Sequence, residues 1–368
     1  MIYFDNASTS FPKCPGVKNA VCDYLEKGAF NINRSTSAFS FGLEERIFDI
    51  RESIKHFFNA PKDSFVVFTR GVTESINLFI GGYLNKGDTV LVSPFEHNAV
   101  MRPLTEKEIN VRVIGATKEV DDVKCIIVNH ASNVTGNVYN IKEAAETAKK
   151  LSVPLVLDTA QSAGCVNVDM SALGVDFLAF SAHKGLLGLQ GAGGAIINKD
   201  LAEKIKPLIF GGTGSASSSY NMPEFLPDKF EAGTLNIPGI LSVGEGIKFI
   251  EKTGIKNILS HKTRLRDECI KGLNSIKDVS VIGSNSLENT GVVSFVSSSV
   301  DNAFVSSLLD KQYGIVTRVG LQCAPLAHKT LGTFKMGGTV RVSFSYFNTL
   351  DEVEIFLNAV RTILKTNQ

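Results

Sequence analysis

The sequence lacks the features of a membrane-spanning, secreted or nucleic-acid-binding protein. Among its 368 residues, 38 Lys and Arg nearly balance 37 Asp and Glu, which argues against a general affinity for nucleic acid or anionic membranes. No basic region followed by an apolar stretch opens the chain, and no apolar run reaches the roughly 18 residues of a spanning helix. We therefore expect a cytoplasmic protein without nucleic-acid or membrane partners.

Cysteine pairs and dinucleotide-binding glycines are also missing. The six cysteines are scattered and none forms a C-x-x-C pair, so we expect neither a metal site nor a disulfide framework. No G-x-G-x-x-G follows the first predicted strand, which disfavours a nicotinamide-binding protein. The glycines between residues 185 and 191 have a different spacing.

Short apolar runs alternate with helical patterns between about residues 60 and 200. Such runs are typical of strands that are buried on both faces. Alternation of strand and helix predicts a mainly parallel sheet, with ligands at the carboxyl ends of its strands. The predicted strands are residues 66–68, 90–92, 125–128, 155–157, 177–180 and 195–197, and the helices between them include 73–84 and 141–151.

The pattern changes after about residue 254. A helix at 261–273 is followed by strands near 292–296, 315–318 and 340–344, and a closing helix begins after the capping box Thr349-x-x-Glu352. The region reads as a smaller α+β domain. We predict an N-terminal segment that joins the small domain, a large domain and the small domain, at residues 1–14, 15–253 and 254–368.

Two charged residues stand at the ends of apolar strands. Asp158 ends one predicted strand, where a helix N-cap and a cofactor contact are equally good interpretations. Lys184 follows another, where the alternative is a lysine that reaches past the apolar surface to solvent. An aldehyde cofactor would explain both residues. The amine would form a Schiff base, and the carboxylate would pair with the nitrogen of a pyridinium ring.

The patterns Asp158-x-x-Gln161 and Ser181-x-His183-Lys184 resemble those of the class V aminotransferase family. Within it, the sequence is most similar to the branch of cysteine desulfurases and selenocysteine lyases. The resemblance implies pyridoxal 5′-phosphate (PLP) and the PLP-dependent transferase fold type I, with a mainly parallel seven-stranded sheet and a smaller α+β C-terminal domain. Further motifs in the family's order are Tyr3-Phe4-Asp5-Asn6-Ala7, Thr69-Arg70-Gly71-Val72-Thr73-Glu74, Glu96-His97-Asn98, Ser132-Asn133-Val134-Thr135-Gly136, Glu231-Ala232-Gly233-Thr234, Arg318-Val319-Gly320-Leu321-Gln322-Cys323 and Val340-Arg341-Val342-Ser343.

The resemblance also implies which residues hold the phosphate of PLP. Thr73 follows Gly71 at a strand-to-helix turn, where backbone N–H groups favour an anion, although a plain N-cap would look the same. Ser181 and His183 add phosphate contacts. Thr234 would reach the phosphate of the neighbouring subunit, so we expect a homodimer with shared active sites.

Three further residues are expected at the ring of the cofactor. By the resemblance, His97 stacks on the pyridine ring and relays protons. Asn133 lies near the phenolic oxygen or the substrate carboxylate, and Gln161 lies near that same phenolic oxygen. A histidine or an amide taken alone would more often be a packed or surface residue.

The reaction depends on Cys323, whose segment matches the family's nucleophile loop. The resemblance implies that Lys184 removes the α-proton of L-cysteine and that the Cys323 thiolate attacks the substrate sulfur. The products are L-alanine and a persulfide for a sulfur-acceptor protein. Arg341 anchors the substrate carboxylate through its planar guanidinium, although a solvated strand arginine is the alternative. Arg318 near the substrate would add positive charge that favours the thiolate.

Other functions remain open at this stage. A selenocysteine lyase would share the whole site, whereas a class V aminotransferase or epimerase would share Lys184, Asp158 and Arg341 without a use for Cys323. A scaffold protein without turnover would not need the lysine. The segment 33–37 departs from better-known relatives, which carry a histidine near the substrate, because this chain has no histidine before residue 56.

Overall fold

The computed structural model describes residues 1–32, 38–116, 122–283 and 287–366. The segment 33–37, singled out above for its missing histidine, lies outside these residues. No helix within the described ranges combines the length and the apolar character that crossing a membrane requires.

Thirteen strands are present in the described residues. They are β1 (Ile2–Tyr3), β2 (Phe65–Thr69), β3 (Thr89–Val92), β4 (Asn110–Val113), β5 (Val123–Asn129), β6 (Leu155–Asp158), β7 (Phe177–Ser181), β8 (Gly193–Ile197), β9 (Val279–Ile282), β10 (Val292–Ser297), β11 (Ile315–Val316), β12 (Arg318–Gly320) and β13 (Thr339–Ser343).

Eleven α-helices accompany them in the same ranges. They are α1 (Pro15–Lys27), α2 (Ala38–Phe57), α3 (Val72–Tyr83), α4 (Asn98–Glu106), α5 (Lys142–Leu151), α6 (Lys199–Lys204), α7 (Ile237–Thr253), α8 (Ile255–Asn274), α9 (Asn302–Tyr313), α10 (Pro325–Thr330) and α11 (Leu350–Thr366). A single 3₁₀ turn spans Phe334–Met336.

Seven strands form the large sheet, in the order β2-β8-β7-β6-β5-β3-β4. All neighbours are parallel except β8, which is antiparallel to both β2 and β7. The six predicted strands are all present. The seventh, β4, lies at the edge of the sheet, and its side chains alternate between exposed and half-buried. An edge strand needs no continuous apolar run, which is why the search for such runs missed it.

The large sheet is buried on both faces. Along β6, Leu155 and Leu157 point into one core, which contains residues of α2, α5 and α7, whereas Val156 points into the other, which contains residues of α3, α4 and α6. This alternation with period two is the expected geometry of a strand between two helical layers. Because both faces of the sheet are apolar, polar side chains collect at the ends of the strands.

The C-terminal region builds a second core on an antiparallel sheet with the order β12-β13-β10-β9. Helices α8, α9 and α11 supply its apolar side chains. The predicted strand 315–318 is wrong as a single element, because β11 pairs with β1 whereas β12 pairs with β13. The helix predicted at 261–273 begins earlier, at Ile255, since Gly254 with a φ of 84° allows a turn directly after α7.

The N-terminal residues belong to this second core. Strand β1 pairs in parallel with β11, and Phe4 is fully buried against Phe344 and Phe356. The capping box is confirmed, since the N–H of Thr349 donates to Glu352 and the N–H of Glu352 donates to Oγ1 of Thr349. The division into three regions stays a prediction, and this packing supports it.

We expect Phe356→Ala to lower the free energy of unfolding by about 3–5 kcal/mol, because it leaves a cavity in the second core. Phe356 is fully buried, whereas its neighbour Ile355 is 50% exposed. Ile355→Ala is therefore the matched control and should cost less than about 1 kcal/mol. Chemical denaturation followed by circular dichroism measures both variants. Equal losses would contradict the assignment of Phe356 to the core.

Candidate active site

Polar side chains gather where the central strands of the large sheet end. Asn129 and Asp158 are the last residues of β5 and β6 and are paired in register, and Ser181 ends β7. The carboxyl ends of parallel strands meet at one edge of a sheet, where its ligands bind. A cleft opens there, and every predicted site residue except Thr234 lines it.

Lys184 and Asp158 face each other across this cleft. The charge of Asp158 opposes the effect of burial, which lowers the pKa of Lys184. Burial raises the pKa of Asp158, and a hydrogen bond of 2.8 Å from the N–H of Ala160 to Oδ1 counteracts this. The charge of each group thus opposes the effect of burial on the pKa of the other, without an ion pair between them in the described residues.

His97 is the N-cap of α4, and its side chain has a defined tautomer. Nδ1 accepts a hydrogen bond of 3.0 Å from the N–H of Ala99, so the ring proton sits on Nε2. Burial, followed by the charge of Lys184, lowers the pKa of His97 to about 4. The ring is therefore neutral near pH 7 and presents a flat face and one N–H to the cleft.

Glu96 lies beside His97 and is fully buried. Its Oε1 accepts hydrogen bonds from the hydroxyl of Ser93 and from the N–H of Asn129, at 2.7 Å for the latter. Burial raises the pKa of Glu96 to about 8, and the charge of Asp158 adds to the effect. Through these hydrogen bonds Glu96 links Ser93, the residue after β3, to Asn129 at the end of β5.

The N-terminus of α3 forms another wall of the cleft. Gly71 precedes the helix with a φ of 142°, and a Cβ at that position would lie 3.1 Å from Oγ of Ser181. That hydroxyl instead accepts a hydrogen bond of 3.1 Å from the N–H of Val72. Thr73 is exposed in the first turn, so its N–H and hydroxyl are available to an anion.

Arg341 is buried on β13, and its guanidinium forms an ion pair with Asp5. Nη2 donates to Oδ1 of Asp5 and to Oγ of Ser8, both at 2.8 Å, and Nη1 donates to the carbonyl of Asn133 at 2.8 Å. Arg318 is its cross-strand neighbour on β12 and is exposed. The two guanidinium groups give this end of the cleft a positive charge. A substrate carboxylate at Arg341 would share the guanidinium with Asp5.

Cys323 stands on the short connection between β12 and α10, and it is exposed. Gln322 and Cys323 have positive φ angles of 42° and 56°, a conformation that costs on the order of 1 kcal/mol or more for each non-glycine residue. Cys125 and Cys269, by contrast, are buried. The only other exposed cysteine among the described residues is Cys22, on α1.

Thr234 is the one predicted residue outside the cleft. It is exposed and lines a second opening, together with Leu208, Ile209 and Phe230. The start of its loop is held by Glu231, whose carboxylate accepts from Arg51 at 2.6 and 2.8 Å. Within one chain, Thr234 therefore does not contribute to the site of Lys184.

The cleft fits PLP by its chemistry. Within the described part of the chain, the buried atoms Oδ1 of Asn133 and Nδ1 of His183 have no hydrogen-bond partner. An amine for the aldehyde, an acid for the ring nitrogen and a helix N-terminus for the phosphate lie in the same cleft, at Lys184, Asp158 and α3. These are the groups that such a cofactor needs.

A mostly parallel seven-stranded sheet with this edge site and a smaller α+β region is the PLP-dependent transferase fold type I. The profile of the family "Aminotransferase class-V" matches residues 2–356. The chain therefore belongs to the class V aminotransferase family.

Several relatives are named cysteine desulfurases. A probable cysteine desulfurase of Methanothermobacter thermautotrophicus is 34% identical, over 96% of this chain and 92% of that protein. One of Pyrococcus abyssi is 33% identical, over 100% of this chain and 95% of that protein. The solved apo structure of a cysteine desulfurase from Thermococcus onnurineus has a TM-score of 0.89 at 31% identity, and the overlap covers 99% of this chain and 95% of that one. An S-sulfonic acid form of the Escherichia coli enzyme has a TM-score of 0.86 at 27% identity, over 100% of this chain and 95% of that one.

Four residues of the site had no role assigned from the sequence. Asp5, Glu96 and Gln322 lay within quoted motifs, but nothing in a motif shows that Asp5 meets Arg341 or that Glu96 meets Asn129. His328 lay beyond the motifs, and its contact with Gln322 depends on the fold of the loop. Glu96 follows an apolar strand in the sequence, and this position is the one signal that could have drawn attention to it.

We expect the protein to lose stability as the pH falls, partly through His130. Burial lowers the pKa of His130 to about 4, so between about pH 6.5 and 4 the unfolded chain binds a proton that the folded protein excludes. The free energy of unfolding therefore decreases on acidification through this window. His130→Gln should reduce the slope by at most about 1.4 kcal/mol per pH unit. His56→Gln, at an exposed position, is the control and should leave the slope unchanged.

Proposed function

We propose that the protein is a PLP-dependent cysteine desulfurase that converts L-cysteine to L-alanine and carries the sulfur as a persulfide on Cys323. The observation that supports this function best is the exposed thiol of Cys323 in the same cleft as Lys184 and Arg341. An aminotransferase or epimerase would have no use for a thiol there. The names of the relatives agree with the proposal.

The cofactor would be held by residues on three sides of the cleft. Lys184 would bind its aldehyde carbon and Asp158 its ring nitrogen, while the neutral ring of His97 packs on its face. Once bound, PLP withdraws electrons from the α-carbon of an attached amino acid. Thr73, Ser181 and His183 would bind the phosphate, and Asn133 and Gln161 the phenolic oxygen.

The remaining chemistry belongs to side chains of the chain itself. Arg341, with Arg318 beside it, would bind the substrate carboxylate, and Nζ of Lys184 would take the proton from the α-carbon. Sγ of Cys323 attacks the substrate sulfur, so an S–S bond forms while the bond between the substrate Cβ and its sulfur breaks. The electron pair stays with the substrate, which takes up a proton and leaves as alanine.

The assembly is part of the proposal. A homodimer would bring Thr234 to the phosphate of the neighbouring subunit. Large apolar side chains that line the same opening as Thr234 support such a contact, since Leu208 is 41% exposed and Ile209 is 45% exposed. A cytoplasmic location and a protein that accepts the sulfur complete the proposal.

We expect Cys323→Ser to lower sulfide and alanine production from L-cysteine, in the presence of a thiol reductant, by at least about a hundredfold. Cys22→Ser is the matched control, because Cys22 is also exposed but lies on α1, and it should retain the activity of the wild type. Near-normal turnover by Cys323→Ser would exclude Cys323 as the nucleophile. Transfer of the amino group of L-cysteine to an oxo-acid acceptor, without release of sulfide, would instead indicate an aminotransferase.

We expect Lys184→Ala to abolish turnover and to remove the near-visible absorbance that shifts when cysteine is added, because no other side chain replaces the amine. Lys149→Ala, at an exposed position on α5, is the control and should keep both properties. Absorbance spectra before and after addition of cysteine measure the effect. An unchanged spectrum in Lys184→Ala would argue against the proposed attachment.

A further inference from the structure

The backbone that carries Cys323 needs support from its surroundings. Gln322 and Cys323 are two consecutive residues with φ angles of 42° and 56°. Neither is a glycine, so both adopt a conformation that side chains disfavour. A strained segment of this kind persists only where neighbouring groups determine it.

Three hydrogen bonds link Gln322 and Cys323 to other parts of the molecule. Nε2 of Gln322 donates to the carbonyl of Thr339 on β13 at 2.9 Å. The carbonyl of Gln322 accepts from Nδ2 of Asn133 at 2.7 Å. The carbonyl of Cys323 accepts from the N–H of Asn98, the first residue of α4, at 2.8 Å. The backbone is thus fixed, while the side chain of Cys323 remains exposed at the cleft.

His328 completes this arrangement from within α10. It is fully buried, with Nε2 2.8 Å from Oε1 of Gln322 and Nδ1 2.7 Å from Oγ1 of Thr333. The amide of Gln322 has one orientation, because its nitrogen faces a carbonyl and its oxygen must then face His328. Nε2 of His328 therefore carries the ring proton, and Nδ1 accepts from the hydroxyl of Thr333.

These contacts form one directed chain from Thr333 through His328 and Gln322 to Thr339. Every donor in it meets an acceptor, and all four side chains are buried. Burial, followed by the charge of Arg341, lowers the pKa of His328 to about 4, which agrees with a neutral ring in this tautomer. Loss of the imidazole would leave the amide oxygen of Gln322 buried without a donor.

We propose that His328 is a positioning residue that holds the Gln322–Cys323 turn, and with it the thiol of Cys323, in place for attack on the substrate sulfur. The inference rests on the proposed function, because it assigns to Cys323 the role of nucleophile. His328 does not touch the substrate. It acts through Gln322, which sets the backbone from which the thiol projects.

The test compares His328→Leu, which removes both ring nitrogens, with His328→Gln, whose amide can donate to Gln322 and accept from Thr333. In a single turnover with L-cysteine, His328→Leu should form the Cys323 persulfide about tenfold more slowly than the wild type, since a buried acceptor loses its donor. KM and the absorbance change on cysteine addition should stay within about twofold of the wild type. His328→Gln should recover most of the rate.

Hydrogen exchange gives a readout that does not depend on activity. In the holoenzyme, amides of residues 321–329 should exchange at least about threefold faster in His328→Leu than in the wild type, and near the wild-type rate in His328→Gln. Lys329→Ala, at the exposed neighbouring position, is the control and should change neither rate. If Cys323→Ser were active, the proposed function would fail. Faster hydrogen exchange in His328→Leu would still show that His328 supports the Gln322–Cys323 turn.

Thr333→Val provides a second variant should His328→Leu fold poorly. It removes only the hydroxyl that donates to His328, and it should slow persulfide formation in the same direction by a smaller factor. The proposal is overturned if the folded variants form persulfide within twofold of the wild-type rate. It is also overturned if His328→Gln is as slow as His328→Leu. Finally, it is overturned if the effects of Gln322→Met and His328→Leu on the rate of persulfide formation are independent, so that their activation free energies add in the double variant.

Discussion

The site depends on two buried groups of opposite charge, the amine of Lys184 and the carboxylate of Asp158, that lie in one cleft at the edge of the large sheet. Burial shifts the pKa of each group toward its neutral form, and the charge of the other group opposes that shift. The parallel strands β6 and β7 bring both residues to the same edge. Helices exclude water from both faces of the sheet, so the charged side chains lie at this edge instead.

The second region of the chain contributes the groups that would act on a substrate. Arg341 comes from β13 and is paired with Asp5 from the N-terminal segment, so residues more than 300 positions apart in sequence form one end of the cleft. Cys323 comes from the turn before α10. One side of the cleft is therefore built by the large sheet, and the other by the antiparallel sheet and the N-terminus.

The elements that could be predicted are those whose signal is local. Six buried strands were visible because a strand between two helical layers is apolar at every position, as Leu155, Val156 and Leu157 illustrate. The edge strand β4 and the separation of β11 from β12 were missed, since an edge strand alternates and a two-residue strand has no period. The early start of α8 was missed because it depends on the backbone of Gly254.

The sequence by itself determined the fold class, the family and the identity of Lys184, Asp158 and Cys323 as residues of interest, because motif order and strand ends are properties of the linear chain. Only the tertiary structure decided which groups meet. It placed Thr234 outside the cleft of its own chain, paired Arg341 with Asp5 and linked His328 to the backbone of Cys323 through Gln322. Hydrogen bonds form only at particular distances and angles between the groups that they join. The spacing of residues in the sequence does not encode those distances and angles.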